Sequence, residues 1–196
     1  MADRRGLIVA LSGGLAAGGL ALLGASRPWA TVEIVAAGVP RSTIETAGTS
    51  AVPWVGALSL VMLAGALAII PTGAAARRII GALVMLAAVG AAVGTLFAGP
   101  AIDDALAGDI AQSPASGGVD DQAMVDAADH PPWRWLTLGA SLAGAGVGLL
   151  VVTRGQRWPT MGSRYDAPTR GGGADGAGSD EADLWKAIDE GRDPTA

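Results

Sequence analysis

The stretch at residues 79–99 reads IIGALVMLAAVGAAVGTLFAG and holds no Asp, Glu, Lys or Arg. At 1.5 Å per residue, a helix of about 20 residues crosses roughly 30 Å of hydrocarbon. Three further runs share this length and this lack of charge, at 6–26, 53–70 and 135–153. A helix that is apolar on every side must face lipid or a protein interior. The sequence therefore predicts an all-α membrane protein, a bundle of four transmembrane helices.

Arginines indicate which side of the membrane each end of a run faces. Arg pairs precede the first run and separate the second from the third, and several Arg follow the fourth. Because cytoplasmic loops carry an excess of Lys and Arg, we expect a multi-pass protein of the bacterial plasma membrane with both termini inside. The cytoplasmic segments are then 1–5, 71–78 and 154–196, and the extracellular loops are 27–52 and 100–134.

The first run also has features of a cleaved signal peptide, since 1–5 is basic and 24–26 offers small residues. The apolar region of a signal peptide usually has about 7–15 residues, and this run is longer. An uncleaved helix is therefore favoured. Cleavage would leave three spans and an external N-terminus.

Composition limits the chemistry that this chain can carry. The 196 residues include no Cys and one His, which excludes disulfides, thiolate catalysis and Cys-based metal sites. No charged residue lies inside a run, whereas ion-coupled transporters carry ionisable groups near the membrane midplane. The Asp residues of 100–134 lack the spacing of a calcium loop and are predicted to be solvated. We expect no enzyme, no cofactor and no nucleic-acid partner.

The extracellular loop 27–52 contains two segments of alternating, β-branched residues. Residues 29–35 and 41–46 alternate in the way of half-buried strands and predict a small β-hairpin. Because an isolated hairpin is marginally stable, it is expected to pack on the bundle or on the second loop. In that second loop, the Ser, Pro and Gly of 113–118 predict irregular structure, and 119–129 predicts a short acidic helix.

Aromatic and basic residues flank the runs at the depth of the lipid headgroups. Trp is enriched at membrane interfaces because its ring is apolar with one polar edge. An Arg beside it can extend its charge into the headgroup region. The predicted lipid-interface residues are Arg27, Trp29, Trp54, Trp133 and Trp135 at the outer ends of the runs, and Arg157 and Trp158 beyond the inner end of the fourth.

Three pairs of glycines repeat a four-residue spacing inside the runs. Such spacing removes side chains from one helix face, so that two backbones can approach closely. In a chain with 30 Gly it also arises by chance. The pairs fit either packing inside one bundle or a homo-oligomer, and they are Gly14/Gly18, Gly90/Gly94 and Gly144/Gly148.

The tail, 154–196, changes composition twice. Its first part, 154–170, is basic, and 171–179 is Gly-rich and is predicted to be flexible. Near 180–190, acids in a first turn and a Gly beyond predict a short helix in an otherwise disordered tail. An apolar face on a tether is typical of a helix-in-groove ligand, but it fits equally a segment that docks on its own protein or a disordered end. The candidate partner-binding residues on this face are Leu184, Trp185 and Ile188.

Several motifs together resemble one known family. They are Arg27-Pro28-Trp29 after the first run, Pro53-Trp54 at the second, Arg157-Trp158-Pro159 after the fourth, and the ending Asp183-Leu184-Trp185-Lys186-Ala187-Ile188-Asp189-Glu190-Gly191. In these motifs the chain resembles the tryptophan biosynthesis-associated membrane protein family of actinobacteria. The resemblance implies a plasma-membrane location and an association with tryptophan-biosynthesis genes. It implies no catalytic or binding residue, because the molecular activity of the family is not established.

Two functions of different classes follow from these observations. The first hypothesis is a non-enzymatic membrane adaptor, whose tail recruits a cytoplasmic protein through the apolar face near 184–188. The alternative is a small oligomeric transporter or exporter of tryptophan or a related aromatic metabolite, which rests on the resemblance alone. A membrane enzyme ranks last, since catalysis needs a positioned nucleophile, base or metal.

Overall fold

The computed structural model describes residues 2–34, 41–113 and 121–158, all within one compact unit, Met1–Met161. Mostly helical, this part of the chain also contains one pair of strands. The elements along the chain are α1 (Ala2–Ala25), β1 (Pro28–Ile34), β2 (Ser42–Ala47), α2 (Gly48–Ala51), α3 (Pro53–Ala68), α4 (Ala74–Leu96), α5 (Gly99–Ala111), α6 (Asp121–Asp126), α7 (Trp133–Arg154) and a 3-10 turn, Gly155–Arg157.

Helices α1, α3, α4 and α7 form a bundle. Both α3 and α7 pack against α1 and against α4, so the order around the bundle is α1–α3–α4–α7. Neighbours run antiparallel; on α1, for example, Gly14 lies against Ala66 and Gly18 lies against Leu63. This is the up-down-up-down arrangement of a simple bundle. We call the end at which α1 begins and α7 ends the tail end, and the opposite end the cap end.

Three helices among the described residues are long and apolar enough to cross a membrane, at Arg5–Ala25, Ala74–Leu96 and Trp133–Arg154. The remaining predicted run, 53–70, is the second along the chain and forms α3, which has 16 residues. Such a helix extends about 24 Å at 1.5 Å per residue. Pro53 occupies its first turn and Pro71 follows its end, so proline limits it on both sides. The prediction of four long spans is thus confirmed for three, with a shorter apolar helix as the fourth.

Helix α4 begins earlier than the predicted span. The sequence predicts a span at 79–99, whereas the helix begins at Ala74 and ends at Leu96. Its hydrogen bonding continues through the two arginines before the run, and the Arg77 N–H donates to the Gly73 carbonyl at 2.9 Å. The absence of charge marks the apolar stretch but not the full helix, so α4 also includes the two arginines, Arg77 and Arg78, that the prediction placed in a loop.

The predicted β-hairpin is confirmed. Strands β1 and β2 pair antiparallel with Val32 opposite Ile44. Val32 and Ile34 are buried, while Glu33 between them is exposed, which is the alternation that predicted the strand. The connection at 35–40 lies outside the described residues.

Helix α5 was not predicted, because the sequence analysis treated 100–134 as a loop with one short helix. Ile102, Leu106 and Ile110 recur every four residues and are each at most 1% exposed. This spacing places them on one face of a helix and is the signal that was overlooked. The short acidic helix expected within 119–129 is confirmed as α6, and most of 113–118 lies outside the described residues.

The hairpin, α2, α5 and α6 together form a cap on the bundle. Trp29 is completely buried at its centre, and the indole Nε1 donates to the Gly24 carbonyl of α1 at 2.9 Å. The Thr46 hydroxyl of β2 donates to an oxygen of Asp109 on α5 at 2.6 Å. The apolar cluster around Trp29 continues into the bundle at Val55 and Ala91, among other residues. The hairpin therefore packs on both the bundle and the second loop, as its marginal stability required.

Candidate functional site

The tail end of the bundle buries one arginine. Arg77, on the first turn of α4, is 1% exposed. Its Nη1 donates to the carbonyl oxygens of Gly155 at 3.1 Å and Trp158 at 3.4 Å, and its Nη2 donates to that of Thr72 at 3.0 Å. The side chain therefore joins the start of α4 to the loop before it and to the chain that leaves α7.

Dipoles, rather than an acid, balance the charge of Arg77. Among the described residues no carboxylate pairs with it, and its Nε is buried without a hydrogen-bond partner. Two of its acceptors lie just beyond the C-terminal end of α7, where a helix dipole carries about half a negative charge. The guanidinium carbon also lies 5.9 Å from the centroid of the Trp158 ring, in a cation–π contact. Because a buried charge is costly unless it is compensated, these contacts explain how the arginine remains inside.

Trp158 is held from two sides. Its ring is 4% exposed and belongs to an apolar cluster with Ile69 and Val151. A Cβ at Gly6 would lie only 2.8 Å from the indole Nε1, so the glycine lets the ring lie directly on α1. Residues in or next to all four bundle helices thus meet here. We call this group the tail clamp, and it consists of Gly6, Thr72, Arg77, Gly155 and Trp158.

Two of the predicted interface tryptophans are exposed at the cap end. Trp54 is 48% exposed and Trp135 is 62% exposed, and Phe97 at the end of α4 is 73% exposed. Trp133 is half-buried, and the guanidinium carbon of the exposed Arg27 lies 5.5 Å from the centroid of its ring. Contact of these residues with lipid headgroups stays a prediction.

Trp29 and Trp158 differ from the exposed tryptophans in being packed inside the protein. Trp29 is buried in the cap and Trp158 in the tail clamp, which the sequence did not indicate. The position of a residue relative to a span gives its depth, but the direction of the side chain depends on tertiary contacts. The side chain of Arg157 lies outside the described residues, and so do Leu184, Trp185 and Ile188 with the rest of 159–196. The partner-binding role of these three tail residues stays a prediction.

Sequence reasoning missed the role of Arg134 at the cap end. Its Nε donates to the Thr95 carbonyl at 3.0 Å, and its Nη2 donates to the Leu96 carbonyl at 2.8 Å. These are among the last carbonyls of α4, which have no partner within their own helix. Arg134 therefore ties the start of α7 to the end of α4. The arginine is visible in the sequence, but its acceptors lie nearly forty residues away.

All three predicted glycine pairs pack against helices of the same chain. At Gly148 a Cβ would lie 2.7 Å from the backbone nitrogen of Met85, which is an approach of backbone to backbone. Of the two alternatives, packing inside one bundle is therefore the one seen at these glycines, and a homo-oligomer stays a prediction. The other contacts are Gly14 with Ala66, Gly18 with Leu63, Gly90 with Leu58, Gly94 with Trp54, and Gly144 with Met62.

An apolar crevice of about 270 Å³ lies between α3 and α4. All of its lining residues are apolar, and they include Val61, Gly65, Ile80 and Leu83. Ligand sites for polar metabolites combine an apolar wall with a few placed polar groups. An apolar lining of this kind fits a hydrocarbon chain. It offers no polar side chain that could orient an amino acid.

The buried hydroxyls of the bundle bond mainly within their own helices. Ser59 donates to the Val55 carbonyl at 2.9 Å, and Ser141 donates to the Thr137 carbonyl at 2.8 Å. The Oγ1 of Thr95 differs, because it is fully buried without a hydrogen-bond partner among the described residues. Within the described ranges, no group of three or more His, Cys, Asp or Glu is placed to hold a metal ion.

Comparison with known proteins places the chain at the level of a family. A family model described as tryptophan-associated transmembrane protein matches residues 11–195. No curated protein and no solved structure matches the chain.

Proposed function

Because the chain belongs to the tryptophan-associated transmembrane protein family, we propose that it is a non-enzymatic adaptor that brings a cytoplasmic partner of tryptophan biosynthesis to the membrane. The observation that carries the proposal is the filled interior of the bundle. Met62 is 1% exposed, and its Cε occupies the space that a side chain at Gly144 would need. Such packing favours a rigid anchor over the alternative, an exporter of tryptophan, which needs a path between its helices.

The topology predicted from the arginines has both termini on one side of the membrane, and therefore four crossings. Helix α3 supports the fourth, because it lies antiparallel to α4 along most of its length. Trp54 lies against Gly94 near the cap end, and Gly65 lies against Val84 toward the tail end. A span shorter than the hydrocarbon thickness is accommodated by local thinning of the bilayer, at modest cost.

The proposal places the tail end in the cytoplasm. The tail clamp brings the start of α1, the start of α4 and the end of α7 together, and each carries an exposed arginine. An excess of positive charge marks the cytoplasmic side. These arginines are Arg5, Arg78 and Arg154, with the buried Arg77 among them.

The recruiting element in this proposal is the apolar face of Leu184, Trp185 and Ile188. In the sequence, the Gly-rich stretch 171–179 separates this face from the membrane-proximal part of the tail, and the tail clamp holds the chain at Trp158 before that stretch. Tethering raises the effective concentration of the face near the membrane surface.

The test is affinity purification of the full-length protein in mild detergent, beside a version ending at Arg170 and the variants Trp185→Ala and Tyr165→Ala. Quantitative mass spectrometry measures how much of each tryptophan-biosynthesis enzyme is retained. We expect retention by the full-length protein and by Tyr165→Ala, which changes a tail aromatic outside the apolar face. Truncation and Trp185→Ala should each abolish it, and equal retention in all four samples would refute the adaptor.

A further inference from the structure

We propose that Arg77 is a latch that holds the first residues of the tail, 155–158, against the bundle. Its three acceptors belong to two separate segments, the loop before α4 at Thr72 and the chain beyond α7 at Gly155 and Trp158. A planar guanidinium presents several N–H donors in a rigid fork, so one side chain holds both segments at once. The latch concerns the geometry of the tail and holds whether or not the tail recruits a partner.

The latch holds the chain at its backbone and at a side chain. The Trp158 carbonyl accepts from Arg77, and the Trp158 ring lies both beside the guanidinium and on Gly6 of α1. At Gly155 a Cβ would lie 3.2 Å from Cδ of Arg77, so the end of α7 also packs on the stem of the arginine. The segment 155–158 is therefore held at both of its ends.

The contacts of the latch are not ion pairs. All three acceptors are neutral carbonyls, and the fourth contact is an aromatic ring. Salt screens interactions between exposed charges and acts much less on buried contacts. The latch is therefore insensitive to salt, which distinguishes it from electrostatic docking of the acidic end of the tail on the exposed arginines nearby.

The test measures distances between two spin labels in the full-length protein, reconstituted in phospholipid nanodiscs. The chain contains no native cysteine, so introduced cysteines are labelled uniquely. One label is placed at Gly73→Cys, where a new Cβ meets nothing within 4 Å, and the second is placed at Gln156→Cys, an exposed position inside the held segment. A control pair joins Gly73→Cys to Gly146→Cys, another open position, and reports the bundle alone.

We expect a narrow distance distribution for the 73–156 pair that is the same in low and high salt. Arg77→Gln and Trp158→Ala should each remove the narrow peak, while Arg78→Gln, the exposed neighbour, should leave it unchanged. The 73–146 pair should stay narrow in every variant. A narrow 73–156 peak that survives Arg77→Gln would overturn the proposal, and so would broadening of the control pair, which would make Arg77 a residue that holds the whole bundle. Loss of the peak in high salt alone would indicate electrostatic docking instead.

Discussion

Replacing Gly148 with alanine should destabilise the bundle, whereas the same replacement at Gly146 should not. Both glycines lie in α7. The new Cβ at Gly148 would meet backbone atoms of Met85 at 2.7 and 2.8 Å, while the Cβ at Gly146 meets nothing within 4 Å. Because the obstacle at Gly148 is a helix backbone and not a mobile side chain, α7 must move away from α4 to admit the methyl group.

The size of the effect follows from the comparison of the two variants. Each gains about 1 kcal/mol of helix propensity when alanine replaces glycine. Only Gly148→Ala adds the cost of overpacking, typically about 1–3 kcal/mol. The free energies of unfolding of the two variants should therefore differ by roughly 1–3 kcal/mol, since the propensity gain cancels between them.

Equilibrium unfolding in mixed micelles, followed by tryptophan fluorescence, measures this difference. We expect Gly146→Ala to unfold at the same denaturant fraction as the wild type or a higher one, and Gly148→Ala at a lower one. Equal midpoints for the two variants would refute the reasoning, because they would mean that α7 can move away from α4 at no cost.

Four further substitutions test individual contacts of the cap and of the helix ends. Thr46→Val removes the 2.6 Å hydrogen bond to the half-buried Asp109 and should speed hydrogen exchange in α5; we expect a cost of about 1 kcal/mol. Arg134→Gln removes two bonds to the last carbonyls of α4 and should lower the thermal unfolding temperature. Arg41→Gln, with a side chain 76% exposed, breaks only a 3.5 Å surface pair and should leave that temperature unchanged. Trp29→Phe keeps most of the buried ring but removes the 2.9 Å indole bond to the Gly24 carbonyl, which then keeps only the Arg27 N–H at 3.3 Å; calorimetry should show a loss of about 1 kcal/mol.

The spans and the hairpin were predictable because the signals for them are local. A helix in hydrocarbon must be apolar over its whole length, and a half-buried strand must alternate. The length of α3 was not predictable from its apolar run, since that run continues to Ile70 while the helix ends at Ala68. Helix α5 had the local signal of Ile102, Leu106 and Ile110, but its acidic residues pointed to a loop.

The tail clamp and the cap interior were beyond sequence reasoning for a different reason. Arg77 and its acceptor at Gly155 are 78 residues apart, and nothing in either neighbourhood indicates the other. An Arg next to a run looks like a topological marker, and a Trp next to a run looks like an interface anchor. Whether such a side chain turns outward or inward is decided by which segments fold against it, so Arg77, Trp29 and Trp158 were all assigned to the surface.

The contacts that hold the bundle also bear on which function it suits. Helices α4 and α7 meet through glycines, with Gly81 against Val151 and Gly148 against the backbone of Met85. Close-packed contacts of this kind are not continuously deformable, and a second arrangement would have to separate two backbones. A transporter must alternate between two arrangements of its helices, whereas an adaptor needs only one. The packing therefore favours a rigid bundle over one that changes conformation. The tail clamp holds the start of the tail in the same way, at Gly155 and Trp158.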